Sequence, residues 1–249
     1  MKNDFKLIIS LLQNTRFKVT TMIIILLFFM SLGNIINNMT MINGIYSTLS
    51  WNFFIMVLLF LFIFNTYNIY IELVKNYSFL IRIKNYKEFF CKIIKFIFIS
   101  NLIIYLIVLF LVLVASILKT GMNTKIEILN NYNITNLTYL IFHIIRSYFI
   151  LNMIVIILVS LYKTIKEEIV VIISGIIPLS IVALTPLMKE RVIDSVFKLS
   201  LYYGDYFIGN SYTTFTFEVC MSILFISILF LIIKILIEIV SKKSIDLGF

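Results

Sequence analysis

The chain has 249 residues, of which 61% are hydrophobic and only 13% charged, against about 45–50% and about 25% in soluble domains. So much apolar surface cannot be covered in water, which excludes a soluble globular protein and makes lipid the solvent. The net charge of +9 then reports loop topology rather than nucleic-acid binding, and no nucleic-acid partner is expected.

Two prolines and seven glycines in the whole chain argue against linkers, and the length suits a single transmembrane unit over residues 1–249. The chain opens on a candidate interfacial helix. In the stretch Asp4–Phe17, the residues Phe5, Ile8, Ile9 and Leu12 repeat at i, i+3, i+4, i+7, one apolar stripe that would lie along the membrane surface. Six segments are then long and apolar enough to span about 30 Å of hydrocarbon. They run Lys18–Ile36, Trp51–Ile71, Ile93–Leu118, Leu137–Tyr162, Ile169–Met188 and Thr213–Val240. The fifth holds Gly175, Pro178 and Pro186, so a kink is expected there. None of these runs alternates apolar with polar, which excludes barrel strands. The fold class predicted is all-α, a polytopic membrane protein of six transmembrane helices with an N-terminal interfacial helix.

Lys and Arg set the orientation. Fifteen lie at or beside the N-terminus, the segments Glu72–Lys95 and Lys163–Lys166, and the C-terminal end. Five lie on the opposite side: Lys119, Lys125, Lys189, Arg191 and Lys198. The richer side is the cytoplasmic one, so both termini are placed in the cytoplasm, and the uncharged stretch Asn37–Ser50 is expected as an outer loop. Abundant Ile, Asn, Lys and Phe point to an AT-rich bacterial genome and so to a bacterial plasma membrane. Cys91 and Cys220 fall toward opposite ends of the bundle, and no disulfide between them is expected.

Two connections carry more than topology requires. Glu72–Lys92 is basic yet includes Leu80, Ile81, Ile83, Phe89 and Phe90, apolar groups suited to docking on a protein. Met188–Ser211 holds a short outer helix and then turns at Gly204–Asp205 and Gly209–Asn210.

Charged groups within spans are candidate functional residues. Arg146 heads this group, with His143 one turn earlier and Glu218 near the start of the sixth span. Arg146 stands about 24 Å of helix before Tyr162, so it can snorkel to the outer interface, pair with Glu218 or meet substrate. Lys234 and Glu238 are read as an interfacial i, i+4 pair. Asn65, Thr66, Asn68 and Asn101 are candidate hydrogen-bond partners between helices, and Trp51, Tyr202 and Tyr203 suit the interfacial aromatic belt. No P-loop, GxSxG or HExxH motif occurs, and a single histidine makes no multi-histidine metal site. Neither a catalytic residue nor a cofactor is expected. Glu167–Glu168 resembles the paired glutamates of intramembrane CAAX-type proteases. Ile172 stands where that family wants an Arg, however, and no histidine follows Glu168.

The arrangement resembles the membrane subunit of ABC-2-type ABC transporters: an interfacial helix, a basic inner connection between spans two and three, and a proline-containing span five before a short outer helix. Glu72, Arg82 and Lys92 occupy the places of the acidic residue, the basic-hydrophobic stretch and the Lys entering span three in the family's coupling helix, and Lys84 and Lys87 lie in the same stretch. Asn76 and Tyr77 stand where the family often has Gly, and no Pro occurs there. The resemblance implies a separate cytoplasmic ABC ATPase subunit docking on Glu72–Lys92 and a second permease subunit, identical or not, in the same bilayer. Size and composition are similar to those of peptide export and bacteriocin or lantibiotic immunity permeases of Gram-positive bacteria, which implies an amphipathic peptide or lipid-like substrate. The other readings are a membrane-anchored immunity protein that binds a peptide without transport, a stand-alone carrier, and a membrane-embedded enzyme.

Overall fold

A computed structural model describes residues 17–36, 39–75, 86–129, 134–162 and 215–245. Most of these residues are helical. In chain order the elements are α1 (Phe17–Asn34), α2 (Met41–Ser50), α3 (Asn52–Lys75), α4 (Tyr86–Thr120), β1 (Ile128–Leu129), β2 (Ile134–Thr135), α5 (Asn136–Tyr162) and α6 (Phe215–Ile245). Among the described residues, two helices are long and apolar enough to cross a membrane, Phe90–Thr120 and Asn136–Ile157. The bent pair Met41–Ser50 and Phe53–Ile69 makes a third, and α1 contributes a shorter apolar stretch, Val19–Asn34. The expected segments one, two, three, four and six therefore all contain helix. The interfacial helix within Asp4–Phe17, the span Ile169–Met188, the outer helix after it and the Glu167–Glu168 pair lie outside the described residues, apart from Phe17 at the start of α1.

The burial pattern of α4 is that of a helix in lipid. Leu102, Leu106, Phe110 and Leu113 are exposed, while Ser100, Asn101, Tyr105 and Ser116 face inward. Apolar residues outside and polar ones inside is the arrangement a hydrocarbon solvent selects, since interhelical packing and hydrogen bonds, not water exclusion, hold such bundles together. Leu27 of α1, Phe54 and Phe62 of α3, Val112 of α4 and Val155 of α5 meet in one core cluster. The rings of Phe62 and Tyr105 pack edge to face with centroids 6.1 Å apart. A second cluster joins Ile69, Ile97, Ile156 and Ile233 and so ties α6 to the bundle.

Two features depart from expectation. Residues 128–129 and 134–135 pair antiparallel, with Ile128 opposite Thr135 and Leu129 opposite Ile134, so the connection between α4 and α5 adds a short ladder to an otherwise helical fold. The larger departure is Asn37–Ser50, expected as an outer loop: Met41–Ser50 is the helix α2, and Ile42, Gly44, Ile45, Thr48 and Leu49 are buried. Its start is fixed by Thr40, whose side chain accepts from the backbone N–H of Asn43 at 3.3 Å, an N-cap that satisfies one of the orphan donors of a first turn. Its end follows from three hydroxyls. Ser47 and Thr48 both donate to the Gly44 carbonyl, and Ser50 donates to that of Ser47. Such back-bonding competes with helical hydrogen bonds and bends the chain. Trp51 is extended, its N–H turned back to the Thr48 carbonyl, and α3 leaves at 65° to α2.

Candidate functional site

Among the described residues, two buried polar groups lie within the bundle. The first is a set of amides shared by α3, α4 and α5. Asn65 donates to the Ser100 hydroxyl at 2.9 Å and to Asn101 Oδ1 at 2.8 Å. The Asn101 amide donates in turn to Asn152 Oδ1 at 2.9 Å and to Thr66 Oγ1 at 3.4 Å, and Asn152 donates to the Tyr148 carbonyl at 2.9 Å. Asn65, Thr66 and Asn101, expected as interhelical partners, thus meet, and Ser100 and Asn152 join them. One turn further along, Tyr105 of α4 donates to the Ile144 carbonyl and shares a 2.7 Å contact with the Ser147 hydroxyl of α5. Tyr148 donates to the Phe98 carbonyl. The result is a seam of separate hydrogen-bonded groups along the α4–α5 contact.

The second group lies where α2 packs on α5. Asn136, Tyr139, His143 and Arg146 repeat at i, i+3, i+7, i+10, one face of α5. Asn43, Tyr46 and Leu49 form the matching stripe on α2. Asn136 Nδ2 donates to Asn43 Oδ1 at 3.4 Å. The Tyr46 ring meets those of Tyr139 and His143 edge to face, with centroids 5.5 and 5.4 Å away. His143 Nε2 lies 3.4 Å from the Leu49 carbonyl, and its Nδ1 lies 3.4 Å from an Arg146 guanidinium nitrogen. Because guanidinium can only donate, Nδ1 accepts, so Nε2 carries the hydrogen and donates to Leu49. That carbonyl is one of the last of a helix end, the kind left without an intrahelical partner. The Arg146 guanidinium also sits over the Phe142 ring, 5.4 Å from its centroid. His143 is 1% and Arg146 3% exposed, so both side chains are enclosed by protein. The Glu218 side chain lies outside the described residues.

Comparison with protein families, with curated proteins and with solved structures found no match. The reading of this chain therefore stands on its own residues.

The start of the site is clamped by the connection that follows α4. Gly121, at φ 68°, closes α4 with its N–H on the Ile117 carbonyl, the left-handed cap that glycine adopts without strain. Beyond it the Asn123 carbonyl accepts from Met41 N–H at 2.9 Å, and Ser116 Oγ donates to the Met41 carbonyl at 2.9 Å. Glu127 accepts from the Asn43 amide and pairs with Lys125.

Most of the expected coupling residues lie outside the described side chains. Glu72 lies within α3 and Lys87 within α4, with side chains outside the described set, as are Arg82 and Lys84 altogether. Lys92 makes an i, i+4 ion pair with Glu88 at 2.8 Å on the exposed first turns of α4. Lys234 and Glu238 are exposed on α6. Cys91 and Cys220 are exposed free thiols. Trp51 is partly exposed beside Phe53 at the break, while Tyr202 and Tyr203 lie outside the described residues.

Tyr46, Leu49, Asn152 and Tyr105 were not singled out from the sequence. The α5 stripe of Asn136, Tyr139, His143 and Arg146 is a readable signal. The Leu49 contribution is not, because it is a backbone carbonyl.

Proposed function

We propose that this chain is the membrane-spanning permease subunit of an ABC exporter, six spans with both termini cytoplasmic, in a bacterial plasma membrane. ATP hydrolysis belongs to a separate cytoplasmic ATPase, two permease subunits form the path, and the cargo is an amphipathic peptide or lipid-like molecule. The observation that carries the reading is the basic segment between α3 and α4 together with the length of α4. At 1.5 Å per residue the 35 residues of α4 extend about 52 Å, some 20 Å more than the hydrocarbon core. Its charges crowd at its start, Lys87, Glu88, Lys92 and Lys95, against a single Lys119 at its end. A push on the segment before Tyr86 would pass along one unbroken rod to Asn101 and the amide seam. Differential contacts of the ATPase with two states of that rod are what energy coupling requires.

Co-purification tests this. Tagged protein should bring down an ATPase whose activity the permease modulates, and Arg82→Glu combined with Lys87→Glu should abolish that capture while leaving thermal stability unchanged. Purification of a competent transporter without any nucleotide-hydrolysing subunit would sink the reading. The 65° break that follows Leu49, whose carbonyl meets buried His143, favours a second reading, a stand-alone carrier, since carriers place broken helices at their binding sites. Ion- or substrate-gradient-driven flux in liposomes holding this chain alone would establish it.

A further inference from the structure

The connection that follows α4 carries large apolar side chains on its outer surface. Met122, Ile126 and Ile128 are 82, 58 and 66% exposed, and exposed apolar groups gathered in one place signal a membrane or protein contact. The polar groups of the same stretch are turned to the protein. The Glu127 carboxylate accepts from the Asn43 amide and lies 3.8 Å from Lys125 Nζ. The Glu127 carbonyl accepts from Asn136 N–H at 2.9 Å, and its N–H donates to Asn136 Oδ1 at 3.2 Å. Asn136 Nδ2 donates to the Lys125 carbonyl. Two ties fix the depth of this stretch. Met41 donates its N–H to the Asn123 carbonyl and accepts from Ser116, one turn inside the end of α4, so the connection folds back level with the last turn of that helix. Asn136, the first residue of α5, holds it at the other side. Lys95 and Lys119 bracket the apolar run of α4 and stand about 36 Å apart along the helix. About 30 Å of hydrocarbon fits between them and leaves both in the headgroup layers. Residues 121–128 therefore lie at the headgroup level. Their apolar groups continue the lipid-facing side of α4, where Phe110 and Leu118 are 64 and 68% exposed.

We propose that residues 121–128 form a lipid-binding surface, in which Met122, Ile126 and Ile128 enter the boundary between headgroups and acyl chains of the adjoining leaflet while Lys119 and Lys125 lie among the phosphates. Lipid is the occupant these features select over a protein, because the surface is continuous with the side of α4 already in lipid and two cations flank it, the pattern of an interfacial segment. Backbone groups of Lys125 and Glu127 that would be costly to leave open at that boundary are bound by Asn136. Because the same connection bonds Met41 and Asn43, it holds the start of α2 at the membrane surface. The inference rests on the chain spanning a membrane, and neither on ATPase coupling nor on which side faces the cytoplasm.

Fluorescence quenching on the full chain in phosphatidylcholine nanodiscs tests this. In a background of Cys91→Ser and Cys220→Ser, an environment-sensitive fluorophore is attached to Met122→Cys, Ile126→Cys or Ile128→Cys, and to Lys125→Cys as the polar comparison. Lipid carrying a nitroxide near the headgroup end of its acyl chain should quench the first three labels, and iodide in the buffer should leave them bright. Iodide should quench the label at position 125. Adding Met122→Ser and Ile128→Ser should return the label at position 126 to iodide, because the native side chains, not the dye, hold the connection in lipid. Iodide quenching at all three apolar positions would make the segment an aqueous loop and overturn the surface. Protection from both quenchers would mean that protein, a second copy included, covers it, and would overturn it equally. Nitroxide quenching at position 126 that survives the serine changes would belong to the dye and remove the assignment. The four labelled positions are exposed and each is read separately, so the loss of one variant to misfolding leaves the others to decide.

Discussion

Asn101 is fully buried and sits at the centre of the amide seam, accepting from Asn65 and donating to Thr66 and Asn152. Asn65 is peripheral by comparison, since Asn101 keeps its two acceptors when Asn65 is removed. Asn101→Leu should therefore destabilise more than Asn65→Leu. Interhelical hydrogen bonds in membranes average about 0.6 kcal/mol each, with a maximum near 1.7, so about 1–2 kcal/mol is expected for the central residue. Reversible unfolding in mixed detergent micelles measures both, and the reverse order would refute the seam as drawn. An amide amid apolar residues is conspicuous, which is why Asn65, Thr66 and Asn101 were legible before any coordinates. His143 and Arg146 were legible for the same reason. The surroundings of His143 were not, because the atom that meets its ring is a main-chain oxygen of α2, a helix whose own sequence carries no charge. His143→Leu should leave the Leu49 carbonyl without its donor, at a cost of about 1–3 kcal/mol. His143→Gln, which keeps an N–H at similar reach, should recover most of it in the same unfolding assay.

At the scale of elements, α2 is the lesson. Fourteen uncharged residues between two apolar runs read as a loop, because a ten-residue helix is marginal by its own propensity. It becomes stable through packing. A Cβ on Gly44 would come within 2.8 Å of Ser116 Oγ and 3.2 Å of an Ile35 methyl. Glycine there lets α2 approach α4, and the Ser116 hydroxyl then reaches the Met41 carbonyl. Neither fact is visible without knowing that the two segments touch. Gly44→Ala should push Ser116 off its acceptor and cost about 1–3 kcal/mol. In the double variant with Ser116→Ala the obstructing oxygen is gone, so the two effects should add to less than their sum, by an amount above the roughly 0.5 kcal/mol expected of independent sites. Strict additivity in a thermal-denaturation cycle would mean that α2 does not sit on α4 as described. The helices α3 to α6, by contrast, were legible to within a few residues at most ends, since a run of some 20 apolar residues has few other uses. The start of α4 is the exception. Helix begins at Tyr86, seven residues before the apolar run, because Glu88 and Lys92 pair along its first turns and Glu88 suits the positive end of the helix dipole.

At the scale of the whole molecule, the proposal turns on which side of the membrane each end of α4 faces. Cys91 lies near its charged start, and Lys125, 71% exposed at its side chain, lies just past its other end. Phe90–Thr120 is long enough to separate them by the full hydrocarbon thickness, so the two positions report opposite compartments. The excess of Lys and Arg beside Cys91 predicts that this end is cytoplasmic, because basic loops resist translocation. In intact cells a membrane-impermeant maleimide should then modify Lys125→Cys in a background carrying Cys91→Ser and Cys220→Ser. It should reach native Cys91, tested with Cys220→Ser, only after the membrane is permeabilised. The opposite pattern would put the basic segment outside the cell, where no ATP-hydrolysing subunit could reach it, and would remove the ATPase-driven mechanism together with the topology.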